Sequence, residues 1–316
     1  MKSRIISLIV IFAILAISHL CVFAQEIILK QTRDNLEILY NQKRVLLYNF
    51  ETNKLKPYIK ELYTLDGRNI LLDAPPDHLH HHGLMYAITV NGINFWEETA
   101  TSGVEYPVRI YGNKTVANGR LKYAEFNNEI YWVARSNRFA ASDVKNAFLI
   151  ENRKLRLIID AENDVLMVDW TGNFRVGDFA EKVTLSGTDY HGLGLRFVRE
   201  FDKVAKHFNP ANLPYPTGGK HDLIETPWAG VYSKLGDKPV TTAMFTHPDV
   251  RGSSVYFCMI DPFAYLSATQ GINKKPLVYS KGDNFTVRYL IVVSGSELSV
   301  EKLSQIRKNW IEGKYD

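Results

Sequence analysis

Alternation of apolar and polar residues with period two recurs over nearly the whole chain after residue 25. It is clearest in six segments, 36–40, 44–50, 84–90, 130–134, 155–160 and 165–171. Successive side chains of a strand point to opposite faces of a sheet, so this pattern predicts strands with one buried face. Glycine-containing turn sequences separate the strands, at 66–67, 91–92, 118–119 and 281–283. Such short connections predict antiparallel sheets, because glycine accepts the positive φ of tight hairpin turns.

Only the C-terminus shows helical spacing. Apolar residues recur there at every third or fourth position, at Val300, Leu303, Ile306 and Trp310. Gly313 can supply the left-handed residue that ends such a helix. Many antiparallel strands and one helix predict an all-β fold, a large antiparallel β-sandwich with a C-terminal helix. A jelly roll or a closed barrel is the alternative.

The stretch 201–230 interrupts the strand pattern. It contains Pro210, Pro214, Pro216 and Pro227 and the sequence Thr-Gly-Gly at 217–219. We expect no regular structure there, and a stretch of this length without strands is typical of a binding loop or lid.

The N-terminus has the composition of a secretory signal peptide. Lys2 and Arg4 precede an apolar run at 5–17, and Val-Phe-Ala at 22–24 resembles a cleavage site. A membrane anchor is the alternative, but the run is shorter than the roughly 20 residues that a spanning helix needs. We expect cleavage after Ala24, a periplasmic or secreted protein that begins at Gln25, and no membrane span after cleavage.

Residues 25–316 contain no repeat, linker or low-complexity segment, which predicts a single domain. Removal of two basic residues with the signal peptide lowers the net charge from +4 to +2. A balance this close to neutral gives no reason to expect a nucleic-acid partner. Cys258 lies in the apolar segment 255–260 and is predicted to be a buried structural residue.

Four histidines occur within five residues, in the segment Asp-His-Leu-His-His-His-Gly at 77–83. An imidazole titrates near pH 6.5 and is a common metal ligand, so the cluster predicts proton transfer, metal binding or anion recognition. On an extended segment His78, His80 and His82 would share one face and could bind a divalent transition metal. Pro75 and Pro76 precede them, so alternation is not fixed. A metal-free catalytic site, a metal site and a structural cluster therefore all remain open.

Other polar and aromatic residues could complete the site. Imidazoles can serve as acid–base groups, and the catalytic candidates are His78, His80, His81, His191 and His247. The substrate-binding candidates are Asp77, Trp96, Glu97, Arg196, Glu225 and Trp228. Arg196 could instead form an internal salt bridge, and the tryptophans could be core residues. Glu97 and Glu98 are adjacent and would point to opposite sides of a strand, which does not suit a glycosidase pair.

Two segments carry a family resemblance. Residues 77–84 and Val-Asn-Gly-Ile-Asn-Phe-Trp at 90–96 resemble the signatures Asp-His-Pro-His-His-Arg-Gly and Val-Asn-Gly-x-Asp-Phe-Trp of the PmoA-like family. These are secreted bacterial proteins labelled methane oxygenase, with a domain of unknown function. Further matches lie at 190–197, 228–232, 247–248 and 288–289. Leu79 replaces the usual proline, and His82 replaces the usual arginine, whose bidentate fork an imidazole cannot reproduce.

The resemblance implies a β-sandwich similar to the galactose-mutarotase type, and His78, His80 and His81 match the family pattern. The label implies a metal-dependent oxygenase, but a copper brace would need a histidine where Gln25 stands. We expect a carbohydrate-active enzyme, an epimerase, lyase or hydrolase with histidine acid–base groups, that acts on a small-molecule or oligosaccharide ligand. A non-catalytic glycan-binding protein and a metal-dependent oxygenase are the alternatives. The sequence specifies no cofactor beyond the divalent metal that the histidines could hold.

Overall fold

The computed structural model describes residues 26–211 and 220–316. The predicted signal peptide, 1–24, lies outside the described residues, and so does the part of the predicted loop at 212–219. The strands are β1 (Ile27–Gln31), β2 (Asn35–Tyr40), β3 (Lys43–Asn49), β4 (Tyr58–Leu62), β5 (Leu84–Ala87), β6 (Thr89–Val90), β7 (Ile93–Asn94), β8 (Val104–Asn118), β9 (Leu121–Val133), β10 (Ala147–Asp160), β11 (Val165–Val176), β12 (Lys182–Ser186), β13 (Gly192–Arg196), β14 (Lys206–Phe208), β15 (His221–Glu225), β16 (Trp228–Leu235), β17 (Lys238–Thr246), β18 (Val255–Met259), β19 (Tyr265–Ala268), β20 (Leu277–Ser280) and β21 (Asn284–Ser294). Within the described residues the α-helix is α1 (Val300–Ile311).

Two large antiparallel sheets form the body of the fold. The nine-stranded sheet has the order β1-β2-β3-β4-β5-β13-β19-β18-β15, and the eight-stranded sheet has the order β14-β16-β17-β21-β11-β10-β9-β8. A small third sheet has the order β20-β12-β6-β7. The predicted all-β antiparallel sandwich with a C-terminal helix is confirmed.

The main core lies between the two large sheets. Tyr86 of the nine-stranded sheet packs against Trp132 and Tyr289 of the eight-stranded sheet, with ring centroids 6.1 and 6.4 Å apart. Alternation decides which residues enter this core: on β13, Leu193 and Leu195 belong to it. Their neighbours therefore point to the outer face, the face of the nine-stranded sheet turned away from the other large sheet.

The outer face carries a second set of apolar side chains. They form two small clusters, one with Tyr58, Met85, Ala87 and Trp96, the other with Phe257, Met259, Phe263 and Tyr265. Tyr190 packs against both clusters. The nine-stranded sheet is therefore buried on both faces. The loops that cover its outer face carry residues of the candidate site.

Helix α1 covers the outside of the eight-stranded sheet. Leu303, Ile306 and Trp310 pack there in a cluster with Trp228 and Phe245. Ser299 caps the helix, since its side chain accepts a hydrogen bond from Lys302 N. Gly313 follows the helix with φ of +71°, as the sequence predicts.

The described part of the stretch 201–230 corrects one expectation. It contains β14, which pairs with β16, and β15, which pairs with β18 at the sheet edge. Pro210 and Pro227 lie outside these strands, so the prolines interrupt the sheets without preventing them. The prediction of no regular structure is wrong for this part.

Three further predictions can be compared with the described residues. Asn91 and Gly92 form the two-residue turn between β6 and β7, with φ of +50° and +79°. Cys258 is buried and unpaired in β18. No helix in the described ranges is long and apolar enough to cross a membrane.

Candidate functional site

The histidine segment reaches the outer face through a chain of tight turns just before β5. His78 N donates to Pro75 O, His81 N donates to His78 O, and Ala74 N donates to His81 O, at 2.8 to 3.0 Å. Gly83 permits a close approach to β4, because a Cβ there would lie 2.6 Å from Ile59 O. The segment is therefore folded, and the extended geometry that would place His78, His80 and His82 on one face is not formed.

The turns gather three imidazoles and separate the fourth. The His81 ring centroid lies 4.5 Å from that of His78 and 4.6 Å from that of His80. His82 instead stacks on Tyr58, with centroids 4.1 Å apart. The sequence-adjacent pair His81 and His82 thus enters two different environments.

His82 is held between two carboxylates. Its Nδ1 lies 2.7 Å from Asp73 Oδ1 and its Nε2 lies 2.9 Å from Glu98 Oε1, and the side chain is 3% exposed. Ionised carboxylates only accept hydrogen bonds, so this arrangement fits a ring that donates from both nitrogens, the imidazolium form. Both ring nitrogens are engaged, so His82 is not available to transfer a proton or to bind a metal in this arrangement.

A buried lysine extends the charge pattern. Lys56 Nζ donates to Glu98 Oε1 at 3.1 Å and to Trp96 O at 3.0 Å. Burial alone would raise the pKa of Glu98, but the hydrogen bond from His82 and the charge of Lys56 lower it to about 2. Glu98 is therefore ionised at neutral pH. The Glu98 carboxylate contacts both Lys56 and His82, and Lys56 in turn contacts the backbone oxygen of Trp96.

His81 lies among aromatic rings. Its centroid is 5.1 Å from Trp96 and 5.0 Å from Phe263, and its side chain is 2% exposed. Burial, followed by the neighbouring imidazoles and Arg196, lowers the pKa of His81 to about 2. Within the described structure, Nδ1 of His81 and Nε1 of Trp96 are buried without a hydrogen-bond partner. His81 is thus a neutral imidazole with an unsatisfied polar atom.

His80 and His78 lie nearer the surface. His80 is half-buried, its ring is 4.9 Å from Trp96, and burial followed by the charge of Lys56 lowers its pKa. His78 Nδ1 lies 3.3 Å from Asp77 Oδ2. Asp77 accepts a hydrogen bond of 2.7 Å from Arg199, which makes it part of a half-exposed ion pair at the rim of the site.

Residues of the Tyr-His-Gly segment complete one side of the site. The His191 ring lies 6.0 Å from Trp96, and burial lowers its pKa to about 4. Its Nδ1 accepts a hydrogen bond of 2.9 Å from Thr188 N. Arg196 is buried on the outer face and pairs with Asp202 at 3.2 Å, which is the internal salt bridge expected as the alternative.

The structure does not bring the other candidates to this site. His247 and Trp228 both lie on the α1 side of the eight-stranded sheet, where the His247 ring is 5.1 Å from Trp310. Trp228 is buried between Phe208 and Phe245. Glu225 is exposed at the end of β15. Glu97 is exposed beside the site, and Glu98, its neighbour, makes the internal contacts.

The proposed metal ligands do not form a ligand set. His82 uses both nitrogens for carboxylates, which leaves only His78 and His80 of the three proposed ligands. No group of three or more His, Cys, Asp or Glu side chains is placed to hold a metal ion within 26–211 and 220–316. The arrangement of these residues therefore does not fit the metal that the PmoA-like label implies.

Several site residues escaped the sequence analysis. Lys56, Tyr58, Phe263 and Tyr265 come from distant segments and carry no local motif. Only the order β4-β5-β13-β19 in the sheet brings them together. These strands carry apolar residues on both faces, and that pattern is the signal that could have indicated a covered outer face.

Residues 35–308 match a family model described as a family of unknown function, DUF6807. The chain belongs to the DUF6807 family. The description names no activity, so the PmoA-like label stays a prediction. Comparison with curated proteins gives no match.

Solved structures resemble this DUF6807 chain at low identity. The GH36 α-galactosidase AgaB from Geobacillus stearothermophilus is 11% identical with a TM-score of 0.48, over 86% of this chain and 41% of that one. A galactose mutarotase-like protein from Clostridium acetobutylicum is 10% identical with a TM-score of 0.44, over 86% of this chain and 99% of that one. The chain thus spans about two fifths of the α-galactosidase it matches. These likenesses concern the fold alone.

Proposed function

We propose that this chain binds a carbohydrate on the outer face of the nine-stranded sheet and transfers a proton to or from it through His80. The observation that carries the proposal is the position of His80, half-buried beside Trp96, with its pKa lowered by burial and by Lys56. A neutral imidazole at the edge of an aromatic site is suited to accept a proton.

The surroundings of the histidines support a sugar as the ligand. Trp96, Tyr190 and Phe263 line the site with aromatic rings, and imidazoles and carboxylates lie among them. Small-molecule sites typically combine aromatic walls with a few placed polar groups. A sugar presents the matching surfaces, an apolar ring face of C–H groups and hydroxyls around its edge.

The other histidines are less suited to proton transfer. His81, with a pKa of about 2, is too weak a base at neutral pH, since an efficient base has a pKa near the working pH. His82 has both nitrogens bound to carboxylates. Asp73 and Glu98 face His82 from opposite sides, which does not resemble a glycosidase pair flanking a scissile bond. Epimerisation or elimination therefore suits the site better than hydrolysis.

A non-catalytic glycan-binding protein is the second candidate. It is favoured by the burial of His81 and by the two carboxylate contacts of His82, which leave His80 as the half-buried imidazole beside Trp96 that could transfer a proton. Such a protein would hold the sugar and leave its C–H bonds unchanged.

Proton transfer can be tested in D2O with a panel of sugars, followed by NMR. The wild-type protein should exchange a carbon-bound proton of its substrate for deuterium, and His80→Gln should slow this exchange about 100-fold or more. Binding, measured by saturation-transfer NMR, should change little in His80→Gln. His247→Gln is the matched control, because His247 lies on the other sheet, and it should behave as the wild type does.

Each outcome separates the candidates. Undiminished exchange in His80→Gln would overturn the role of His80. Sugar binding without exchange in the wild type would favour the glycan-binding protein. Stoichiometric transition metal in purified protein would favour the oxygenase of the PmoA-like label.

We also propose that the protein is exported and that residues 1–24 are removed. The composition of this segment supports the proposal. Mass spectrometry of the protein from periplasmic and culture fractions should give Gln25 as the first residue, and an intact N-terminus in these fractions would contradict it.

A further inference from the structure

Among the described residues, the guanidinium of Arg196 has hydrogen-bond partners at Nη1 and none at Nε. It lies on β13 at the outer face and is 1% exposed. Its Nη1 donates to Phe197 O at 2.8 Å, Ala264 O at 3.1 Å and Asp202 Oδ1 at 3.2 Å. Its Nε is buried and has no hydrogen-bond partner among the described residues. A buried donor without an acceptor is unfavourable, so the Nε edge is a place where a ligand oxygen would be stabilised.

His81, a second residue with an unsatisfied polar atom, packs against the Phe263 ring that Arg196 also contacts. The guanidinium carbon of Arg196 is 4.4 Å from the Phe263 centroid, and the His81 ring is 5.0 Å from it. His81 Nδ1 also lacks a partner in the described part of the chain. A neutral imidazole carries one N–H that can donate. Arg196 Nε therefore places one donor around Phe263, next to His78 and His80. His81 Nδ1 adds a second donor in the tautomer that carries its proton there.

The charge of Arg196 is balanced through one edge of its guanidinium, by the ion pair of Nη1 with Asp202. Burial lowers the pKa of this guanidinium, and the hydrogen bond that it donates to Asp202 acts in the opposite direction. Asp77, the other nearby carboxylate, is paired with Arg199. A buried guanidinium whose Nε has no partner in the described residues favours a charged acceptor over a hydroxyl, because charge-assisted hydrogen bonds are about twice as strong as neutral ones.

We propose that the Nε edge of Arg196 and the His81 ring form an anion subsite, and that the sugar bound here is an acidic one. The anion is the carboxylate of a uronic acid or the sulfate ester of a sulfated sugar. This inference rests on the proposed carbohydrate function and specifies its substrate class. The subsite would orient the sugar so that another part of its ring faces His80.

The test compares acidic sugars with their neutral counterparts. D-glucuronate, D-galacturonate and glucose 6-sulfate are the acidic probes, and D-glucose and D-galactose are the neutral ones. Binding to the full chain is measured by saturation-transfer NMR titration at low and high NaCl. We expect the wild type to bind one acidic probe about tenfold more tightly than its neutral counterpart, and added salt to reduce this preference. The relative affinities of the carboxylate and sulfate probes identify the anion.

Two variants test which residues cause the preference for the acidic probe. Arg196→Lys keeps a positive charge and removes the Nε edge, so the acidic probe should lose about tenfold in affinity while the neutral sugar changes little. Arg288→Lys is the matched control, because Arg288 also pairs with an aspartate and lies 5.2 Å from an aromatic ring, but on the other sheet. If Arg196→Lys does not fold, His81→Phe keeps an aromatic ring and should also reduce the preference.

The failures are distinguishable. Equal binding of acidic and neutral sugars, or a preference that survives in folded Arg196→Lys and in His81→Phe, would overturn the anion subsite and leave the carbohydrate function standing. If none of a wider sugar panel binds, the proposed function itself fails.

Discussion

At the scale of single residues, His81 and His82 show how neighbouring side chains acquire opposite roles. His82 contacts two carboxylates at 2.7 and 2.9 Å, whereas His81 is surrounded by the rings of His78, His80, Trp96 and Phe263. The first environment stabilises a charged imidazole, and the second excludes one. Only His82 therefore contributes an ionic cross-link between the Asp73 and Glu98 loops.

We expect His82→Phe to lower the free energy of unfolding by about 2 to 3 kcal/mol, because Asp73 and Glu98 lose the group that compensates their charge. The phenyl ring can keep the stacking on Tyr58. Urea denaturation at pH 7 measures the loss. His80→Phe serves as the control and should change stability by less than about 1 kcal/mol. Equal losses in the two variants would contradict the cross-link.

Three buried neutral histidines predict a pH dependence of stability. Burial lowers the pKa of His81 to about 2 and that of His191 and His207 to about 4. In the unfolded chain these groups take up protons near pH 6.5, and in the folded protein they do not. Their stabilising contribution is therefore complete above pH 6.5 and decreases as the pH falls, by at most about 1.4 kcal/mol per pH unit for each histidine.

Urea denaturation at pH 7, 6 and 5 checks this. His207→Phe removes one of the three groups and should reduce the slope of stability against pH. A stability that is constant from pH 7 to pH 5 in the wild type would show that these histidines are accessible to protons.

At the scale of elements, β13 positions the floor of the site through a residue without a side chain. A Cβ at Gly194 would overlap the hydroxyl of Tyr265, which lies over the glycine and donates a hydrogen bond of 2.9 Å to Tyr190 O. The sequence Gly-Leu-Gly-Leu-Arg at 192–196 shows which residues enter the core, but the reason for Gly194 becomes visible only when β19 lies beside β13.

Gly194→Ala should destabilise the protein by about 1 to 3 kcal/mol, because Tyr265 must move and its hydrogen bond to the Tyr190 segment is disturbed. Tyr265→Phe removes the overlapping atom. A double-mutant cycle should therefore show a smaller loss for Gly194→Ala in the Tyr265→Phe background, by about 1 kcal/mol. Additive losses would mean that the hydroxyl is not the atom in conflict.

At the scale of the whole molecule, the two large sheets are joined by a buried charge network as well as by apolar packing. Arg153 is fully buried, donates to Glu151 and Glu105 at 2.7 to 3.1 Å, and donates to Pro57 O at 2.8 Å. Pro57 directly precedes β4, so the network connects the eight-stranded sheet to the segment that carries Lys56. Burial raises the pKa of Glu105 to about 8 even beside Arg153.

Arg153→Met should lower the free energy of unfolding by about 3 to 5 kcal/mol, since it leaves the carboxyl groups of Glu151 and Glu105 buried without their partner. Arg109→Met removes an exposed arginine that pairs with Glu129 and should lower it by less than about 1 kcal/mol. Chemical denaturation compares the two. Similar small losses would show that water or structural relaxation compensates the network.

The sequence predicted the strands, several turns and α1 because these depend on neighbours in the chain. Period-two alternation, positive-φ glycines and the spacing of Leu303, Ile306 and Trp310 are local properties. It also marked His80 and His81 as site residues and offered an internal salt bridge for Arg196. It failed for the strands β14 and β15, because prolines near strands do not exclude pairing. Of its five acid–base candidates, His247 lies on the opposite side of the sandwich from the other four.

By itself, therefore, the sequence determined that this chain forms antiparallel sheets, and that imidazoles collect at the start of β5. The tertiary structure decided which imidazole lies between carboxylates, which is neutral and which is accessible. Those properties depend on Asp73, Glu98, Lys56 and Phe263, which reach the cluster only through the order of strands and loops across the sheet. Protonation follows burial and nearby charge, and both are set by contacts between segments distant in the chain.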